Sequence, residues 1–178
     1  MATVLVAYAT RHGATAGIAE RLAETLTQCG HRATALPVEK VDAVTPYDAV
    51  ILGAGAYMFH WLKDAVRFAH AHADELTARP LWLFSSGPLG KEQVDDKGVN
   101  VLDAARPREF DELVRLLRPR GERVFFGAYD PEAKPVGLGE TLMRHLPAGR
   151  DAVPPGDFRD WAAIEGWARE IAAALPLQ

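Results

Sequence analysis

Short apolar runs alternate along the chain with segments in which apolar residues recur every three or four positions. Five runs predict strands, which cover residues 3–8 (TVLVAY), 31–38 (HRATALPV), 47–55 (YDAVILGAG), 81–86 (LWLFSS) and 123–130 (RVFFGAYD). Most of these runs are continuous rather than alternating, which is typical of strands buried on both faces. The run at 31–38 alternates, and this pattern predicts an edge strand.

The segments between and after these runs predict helices. The first helix places Ile18, Leu22 and Leu26 on one stripe and ends at Gly30. The others are expected at residues 61–76, 108–117, 139–146 and 160–175. Their inner faces are expected at Leu62, Val66, Phe68 and Ala69 in the second helix, and at Ile164, Trp167, Ala168, Ile171 and Leu175 in the last. Asp160 or Asp157 is the expected N-cap of the last helix.

The alternation of strands and helices predicts an α/β fold. Right-handed crossovers place helices on both faces of a parallel sheet. We expect a doubly wound five-stranded sheet in the order 2-1-3-4-5, forming a single domain over residues 1–178. The segment Leu89 to Arg108 is polar and irregular, and a loop of that length is usually functional or mobile.

Composition narrows the class of protein. The 178 residues carry a formal net charge of −4, which does not favour nucleic-acid binding. No apolar run approaches the roughly 20 residues that span a bilayer, and no basic segment precedes the first apolar run, so we expect a cytoplasmic protein. The single cysteine, Cys29, excludes an internal disulfide. We expect no metal site, because His70 and His72 would not share a helix face.

The first candidate site is the turn ATRHGAT, between the first strand and the first helix. A helix N-terminus offers backbone N–H groups and a partial positive charge. Thr10 and Thr15 add hydroxyl groups, Arg11 adds a charge, and Gly13 lets the backbone approach an anion closely. This set favours a phosphate monoester. The alternative is that the two threonines only cap the helix.

In the predicted strand order, the first and third strands flank the switch point, and the fourth strand ends beside the third. Ligands of such sheets bind in the crevice at the switch point, so the loops after the third and fourth strands join the candidate site. The loop GAGAYMFHW combines small residues with aromatic side chains that could wall a flat ring. The loop SSGPLG would offer polar groups to the ring edge. The binding residues are therefore expected to be Thr10, Arg11, His12, Gly13, Ala14, Thr15, Ala54, Gly55, Ala56, Tyr57, Met58, Phe59, Ser85, Ser86, Gly87, Pro88, Leu89 and Gly90. The alternative for Phe59 and Trp61 is that they face the core.

A singly phosphorylated ligand with a flat, polar-edged ring matches flavin mononucleotide (FMN). The segment VAYATRHGATAGIAERL resembles the first strand, phosphate loop and helix of flavodoxins, whose loop has the pattern Thr/Ser-x-x-Gly-x-Thr. The segments VILGAGAYMFHWLKDAVRF, RVFFGAYDP and DFRDWAAIEGWAREI are similar to the menaquinone-dependent protoporphyrinogen oxidase branch of this flavodoxin-like family. Members of that branch often carry Tyr-Gly where this chain has Met58-Phe59.

The resemblance implies a noncovalent FMN cofactor and a cytoplasmic or peripheral membrane location. It also implies redox chemistry between a small-molecule reductant and a quinone-like or protein electron acceptor. His60 is the candidate catalytic residue for proton handling, because imidazole titrates near neutrality; its alternative is a histidine bonded to the backbone at the helix start. A homo-oligomer remains open.

Two other functions compete with an FMN-dependent oxidoreductase. A flavodoxin-type electron carrier is usually strongly acidic, whereas this chain is only mildly so. A flavin-free interaction module would not need the phosphate loop that Thr10, Gly13 and Thr15 form.

Overall fold

The computed structural model of the chain describes residues 1–130, 132 and 155–176. Its strands are β1 (Thr3–Ala9), β2 (Arg32–Pro37), β3 (Ala49–Tyr57), β4 (His60–Trp61), β5 (Leu81–Ser86), β6 (Gly121–Phe125), β7 (Ala128–Tyr129) and β8 (Gly156–Asp157). Its helices are α1 (Ala14–Gln28), α2 (Lys63–Ala71), α3 (Ala73–Thr77), α4 (Val101–Ala104), α5 (Phe110–Leu117) and α6 (Trp161–Ala173), with a 3-10 turn at Val38–Lys40.

Five parallel strands form the central sheet in the order β2-β1-β3-β5-β6. The order 2-1-3-4-5 predicted for the five long strands is therefore confirmed, and β2 lies at an edge as expected. The short strand β4 folds back antiparallel on the end of β3. Ala9 pairs with Ala54, and Gly55 pairs with Ser86, so β1, β3 and β5 end side by side.

Residues that alternate along each central strand fill two separate cores. On one side, α1 and α6 cover Val4, Val6, Ile51, Phe84 and Phe125. On the other side, the layer that includes α2, α3 and α5 covers Leu5, Leu52, Leu83 and neighbouring apolar residues. Burial on both faces explains why these strands have continuous apolar sequences.

Both long helices follow the predicted periodicity. Ile18, Leu22 and Leu26 of α1 are fully buried. The predicted inner residues of the last helix are also buried, although Leu175 lies just beyond the end of α6. Asp160 caps this helix by accepting a hydrogen bond from the Ala163 N–H group at 3.0 Å. At the end of α1, Gly30 has a φ of +89° directly after the cap residue Cys29, as expected of a helix stop.

The helix predicted over residues 61–76 is wrong at both its start and its middle. Trp61 belongs to β4, so α2 begins only at Lys63. The predicted helix also divides at His72 into α2 and α3. The strand predicted over residues 123–130 is also shorter than expected. It ends at Phe125, because the Gly127 N–H group turns to the Pro88 carbonyl and β7 then pairs antiparallel with β8.

The segment Leu89 to Arg108 contains ordered structure that the sequence pattern did not predict. Asp95 accepts hydrogen bonds from the N–H groups of Lys97 and Val99, which closes a turn. Asn100 then caps α4 by accepting from two amides of that helix. At the end of the segment, Arg106 bonds to Glu122 of β6 and to Asp111 of α5.

The helix predicted over residues 139–146 lies outside the described residues. Within the described part of the chain, no helix is both long and apolar enough to cross a membrane.

Candidate functional site

The first loop forms the predicted tight turn at the start of α1. Gly13 adopts a φ of +84°, in the left-handed region that favours glycine, and α1 begins at the next residue. The Thr10 hydroxyl oxygen accepts a hydrogen bond from the Gly13 N–H group at 3.0 Å. Because this bond uses a lone pair of the oxygen, the hydroxyl hydrogen of Thr10 remains a donor toward a ligand.

Thr15 connects the first loop to the third. Its hydroxyl lies 2.8 Å from the hydroxyl of Ser86, and both side chains are buried. Two hydroxyl groups that share one hydrogen bond retain one further hydrogen, so this pair still has a donor to offer. A Cβ placed on Gly55 would lie 3.4 Å from the Thr15 hydroxyl and 3.4 Å from the Tyr57 ring. Gly55 is therefore the residue of the second loop that lies against the Thr15–Ser86 pair.

The second and third loops approach each other through their backbones. A Cβ on Gly87 would lie 3.0 Å from the carbonyl oxygen of Ala56, which leaves no room for a side chain there. The Gly87 N–H group donates to the carbonyl of Phe125 at 3.3 Å. Ser85 is fully buried, and its hydroxyl has no hydrogen-bond partner among the described residues. The three predicted loops thus converge at one end of the sheet.

The tip of the second loop is a two-residue hairpin. Tyr57 pairs with His60, while Met58 and Phe59 occupy the turn with φ values of 50° and 66°. Two left-handed residues make the turn that fits the natural twist of a hairpin, but glycine or asparagine usually fills it. Met58 is 83% exposed and Phe59 is 52% exposed. The turn therefore holds two apolar side chains out beside the site.

Arg11 joins the first loop to this hairpin. Its guanidinium carbon lies 4.5 Å from the centroid of the Tyr57 ring, within the range of a cation–π interaction. The contact brings a positive charge and an aromatic ring together at the mouth of the site.

Trp61 does not wall the site. It is 2% exposed and packs edge-on against Phe110, with ring centroids 5.1 Å apart. The pattern GAGAYMFHW could not separate Trp61 from Phe59, because the hairpin that reverses the chain direction lies between them.

Glu109 anchors the hairpin, and sequence reasoning missed it. One carboxylate oxygen accepts from the Trp61 N–H group at 3.0 Å, and the other accepts from His60 Nδ1 at 2.8 Å. Burial opposes ionisation of Glu109, but these hydrogen bonds outweigh it, so the pKa of Glu109 lies below its ordinary value. Nothing in the sequence marks this glutamate, because its partners lie 48 and 49 positions away.

Acidification is expected to weaken this anchor. The ionised form of Glu109 makes both bonds, so its contribution to the free energy of unfolding is complete above the ordinary pKa of 4.5. That contribution is lost as the pH falls through the lower pKa of the folded protein. Glu109→Gln should cost about 1 kcal/mol at neutral pH, and the difference from wild type should shrink in acid. Thermal unfolding measured across the acid range tests this, and a pH-independent difference would contradict it.

The predicted phosphate and ring residues therefore lie on three adjacent loops, with exposed His60 at the outer end of the hairpin. The helix N-terminus and the hydroxyls of Thr10 and of the Thr15–Ser86 pair are donors suited to an anion. Because Gly55 and Gly87 have no side chains, the second and third loops can lie close to Thr15 and to each other. This donor set and these glycines fit a phosphorylated ligand with a flat ring.

A family model for the flavodoxin domain matches residues 5–133 of this chain. No curated protein sequence matches the chain closely enough to indicate a relative.

Solved structures with the same fold include several flavodoxins. A flavodoxin from the domain Archaea is 13% identical and superposes with a TM-score of 0.56, covering 97% of this chain and 97% of its own. A cysteine-to-serine mutant of flavodoxin from Pseudomonas aeruginosa is 17% identical, with a TM-score of 0.59, covering 97% of this chain and 98% of its own.

A larger redox protein contains the same fold. The rubredoxin oxygen:oxidoreductase from Desulfovibrio gigas is 14% identical and superposes with a TM-score of 0.57. The match covers 97% of this chain but only 35% of that protein. At these identities the structural likenesses show the fold, and the family model adds the membership. The chain belongs to the flavodoxin domain family, whose cofactor is FMN.

Proposed function

We propose that this chain is an FMN-dependent oxidoreductase of the protoporphyrinogen oxidase-like branch, acting as a single domain over residues 1–178. It would take electrons from a reduced organic substrate and pass them to a quinone or another acceptor. The resemblance in sequence supports the branch, and the observation that carries the proposed substrate class is the exposed apolar hairpin tip, Met58-Phe59, with the Arg11 guanidinium 4.5 Å from the centroid of the Tyr57 ring. Such a mouth suits a hydrophobic ring that bears acidic groups.

The first loop would hold the FMN phosphate. The first-turn amides of α1 have no acceptors within the helix, so they are free to bind an anion at its N-terminus. Thr10 would donate its remaining hydroxyl hydrogen, and the Thr15–Ser86 pair would donate the other. Arg11 and His12 would add positive charge and a further donor.

The second and third loops would hold the ring. The backbone from Ala54 to Ala56 and from Ser85 to Gly90 would line its polar edge, with Tyr57, Met58 and Phe59 against its faces. When bound, FMN supplies the electron-transfer chemistry, and the protein orients the ring and tunes its potential.

His60 would handle protons at the mouth of the site. Its Nδ1 atom donates to the Glu109 carboxylate, which fixes the ring and leaves Nε2 to hold or release a proton. The His60 side chain is 57% exposed, so a substrate seated against the hairpin could reach it.

The apolar tip also favours one class of substrate. The Arg11 guanidinium lies 4.5 Å from the centroid of the Tyr57 ring, next to the tip. A porphyrinogen combines a large apolar ring with carboxylates, which Met58-Phe59 and the Arg11 guanidinium would complement.

An electron carrier is the second candidate. It is favoured by the solved flavodoxins named above, which this chain matches over nearly its whole length. A carrier would exchange electrons with a redox protein and would not turn over an organic substrate alone.

The test begins with purification without added cofactor, a visible spectrum, and mass identification of any compound released by denaturation. We expect bound FMN, or stoichiometric uptake of added FMN. Loaded protein is then mixed with protoporphyrinogen and a soluble naphthoquinone, and porphyrin fluorescence is followed. Sustained turnover above a protein-free control supports the oxidase. Bound FMN without turnover favours the carrier, and failure to bind FMN contradicts both proposals.

A further inference from the structure

Two charged residues that precede α6 form a closed pair. The Arg159 Nε and Nη2 atoms donate to the two carboxylate oxygens of Asp157 at 2.8 and 2.6 Å. The Arg159 backbone N–H group donates to the same carboxylate at 3.1 Å. These hydrogen bonds hold the pKa of Asp157 below its ordinary value, and the Arg159 side chain is only 17% exposed. The guanidinium is therefore fixed in one orientation by a two-point contact.

The third nitrogen of this guanidinium reaches the phosphate loop region from the far end of the chain. Arg159 Nη1 donates to the carbonyl oxygen of Ala14 at 3.2 Å. Ala14 is the first residue of α1 and directly follows Gly13, whose left-handed conformation shapes the turn. The contact spans 145 positions of sequence and ends on the first turn of the helix.

Gly17 provides the space for this contact. A Cβ on Gly17 would lie 2.5 Å from Arg159 Nη1, closer than a side chain tolerates. Glycine inside a helix costs about 1 kcal/mol relative to alanine, so its presence here needs a reason. Trp161 closes the slot, since the Arg159 guanidinium carbon lies 4.5 Å from its ring centroid.

We propose that Arg159 is a positioning residue for the FMN phosphate. Held by Asp157 and seated in the slot at Gly17, it fixes the first turn of α1, whose amides face the anion. A loop that is ordered before binding loses less entropy when the ligand arrives, so the fixed turn raises phosphate affinity. The proposal rests on the FMN phosphate lying at the first loop, as proposed above.

Equilibrium titration of the cofactor-free protein with FMN and with riboflavin tests the role, because riboflavin has the ring but no phosphate. We expect Arg159→Ala to raise the Kd for FMN about tenfold, the equivalent of losing one ordinary hydrogen bond, while the Kd for riboflavin changes less than about twofold. Arg169→Ala is the matched control. Like Arg159→Ala, it removes one positive charge. Arg169 lies within α6, and among the contacts described it bonds only to Glu165.

Asp157→Asn separates positioning from simple charge attraction. This variant removes a negative charge near the phosphate, so attraction alone predicts tighter FMN binding. Positioning predicts weaker FMN binding, because the variant disrupts the two-point contact through which Asp157 fixes Arg159. Tighter or unchanged FMN binding by Asp157→Asn would overturn the proposal.

Gly17→Ala gives an independent check through the other side of the contact. It should weaken FMN binding in the wild type, because the new methyl group displaces the guanidinium. In the Arg159→Ala background it should have no further effect on FMN binding. If the wild type does not bind FMN, the proposed function fails; if it binds FMN and these variants bind equally well, only the role of Arg159 fails.

Discussion

Gly53→Ala should lower the free energy of unfolding by about 3 kcal/mol. Gly53 lies in the middle of β3, where a Cβ would fall 1.9 Å from the ring of Phe84. Phe84 is fully buried and cannot swing aside, because Phe125 and Trp167 pack around it at centroid distances of 6.2 and 6.4 Å. Natural domains are stable by only about 5–15 kcal/mol, so a loss of this size is a large share of the total.

Denaturant unfolding with linear extrapolation measures the change. Gly166→Ala is the control, because a Cβ on Gly166 of α6 meets nothing within 4 Å. Alanine there should raise stability by about 0.5–1 kcal/mol through helix propensity alone. Phe84→Leu in the Gly53→Ala background should recover part of the loss, since a smaller side chain leaves room for the methyl group. Equal stability of Gly53→Ala and wild type would contradict the packing argument.

Gly53 also shows where sequence reasoning about this fold stops. The run YDAVILGAG predicts a buried strand, and the alternation of strands and helices predicts the sheet order, because both depend on local periodicity. The two glycines of the run have different purposes, however. Gly53 makes room for Phe84 in the core, and Gly55 faces Thr15 at the site. The difference depends on the neighbouring strand and helix, which local pattern does not reveal.

The hairpin at the second loop illustrates a different limit. Tight two-residue hairpins are usually marked by Asn-Gly or a similar pair, and Met58-Phe59 gives no such signal. The sequence pattern therefore extends the following helix back to Trp61. In the structure, Glu109 holds the hairpin from the start of α5. A contact between segments so far apart is invisible to periodicity.

The candidate site likewise combines features that the local sequence predicts with contacts that it does not predict. The turn between β1 and α1 was predictable, because strand, glycine, hydroxyl residues and helix follow one another within residues 3–28. Its supports were not, because the Thr15–Ser86 bond and the Arg159–Ala14 bond join remote segments. Only Gly17, a glycine inside a predicted helix, offered a sequence signal for the second of these contacts.

Removal of the two threonine hydroxyls should have the largest effect on cofactor binding. Thr10→Val and Thr15→Val should each raise the Kd for FMN about tenfold to a hundredfold, because hydrogen bonds to charged groups contribute about 1.5–3 kcal/mol. Riboflavin lacks the phosphate, so its Kd should change less than about threefold. Quenching of flavin fluorescence during titration measures both constants.

Thr15→Val also affects the protein itself, and the controls must separate the two effects. Ser86 would lose its only described partner for the buried hydroxyl, so some loss of stability is expected alongside the loss of affinity. Thr15→Ser keeps the hydroxyl, so it should bind FMN within about threefold of wild type. Thr15→Val replaces the hydroxyl with a methyl group, so it should not. Thr27→Val is a matched control, because Thr27 lies near the far end of α1, where its hydroxyl donates to the Ala23 carbonyl. Equal losses of FMN and riboflavin affinity in Thr15→Val would assign the threonine to loop packing, and wild-type FMN affinity in both valine variants would place the phosphate elsewhere.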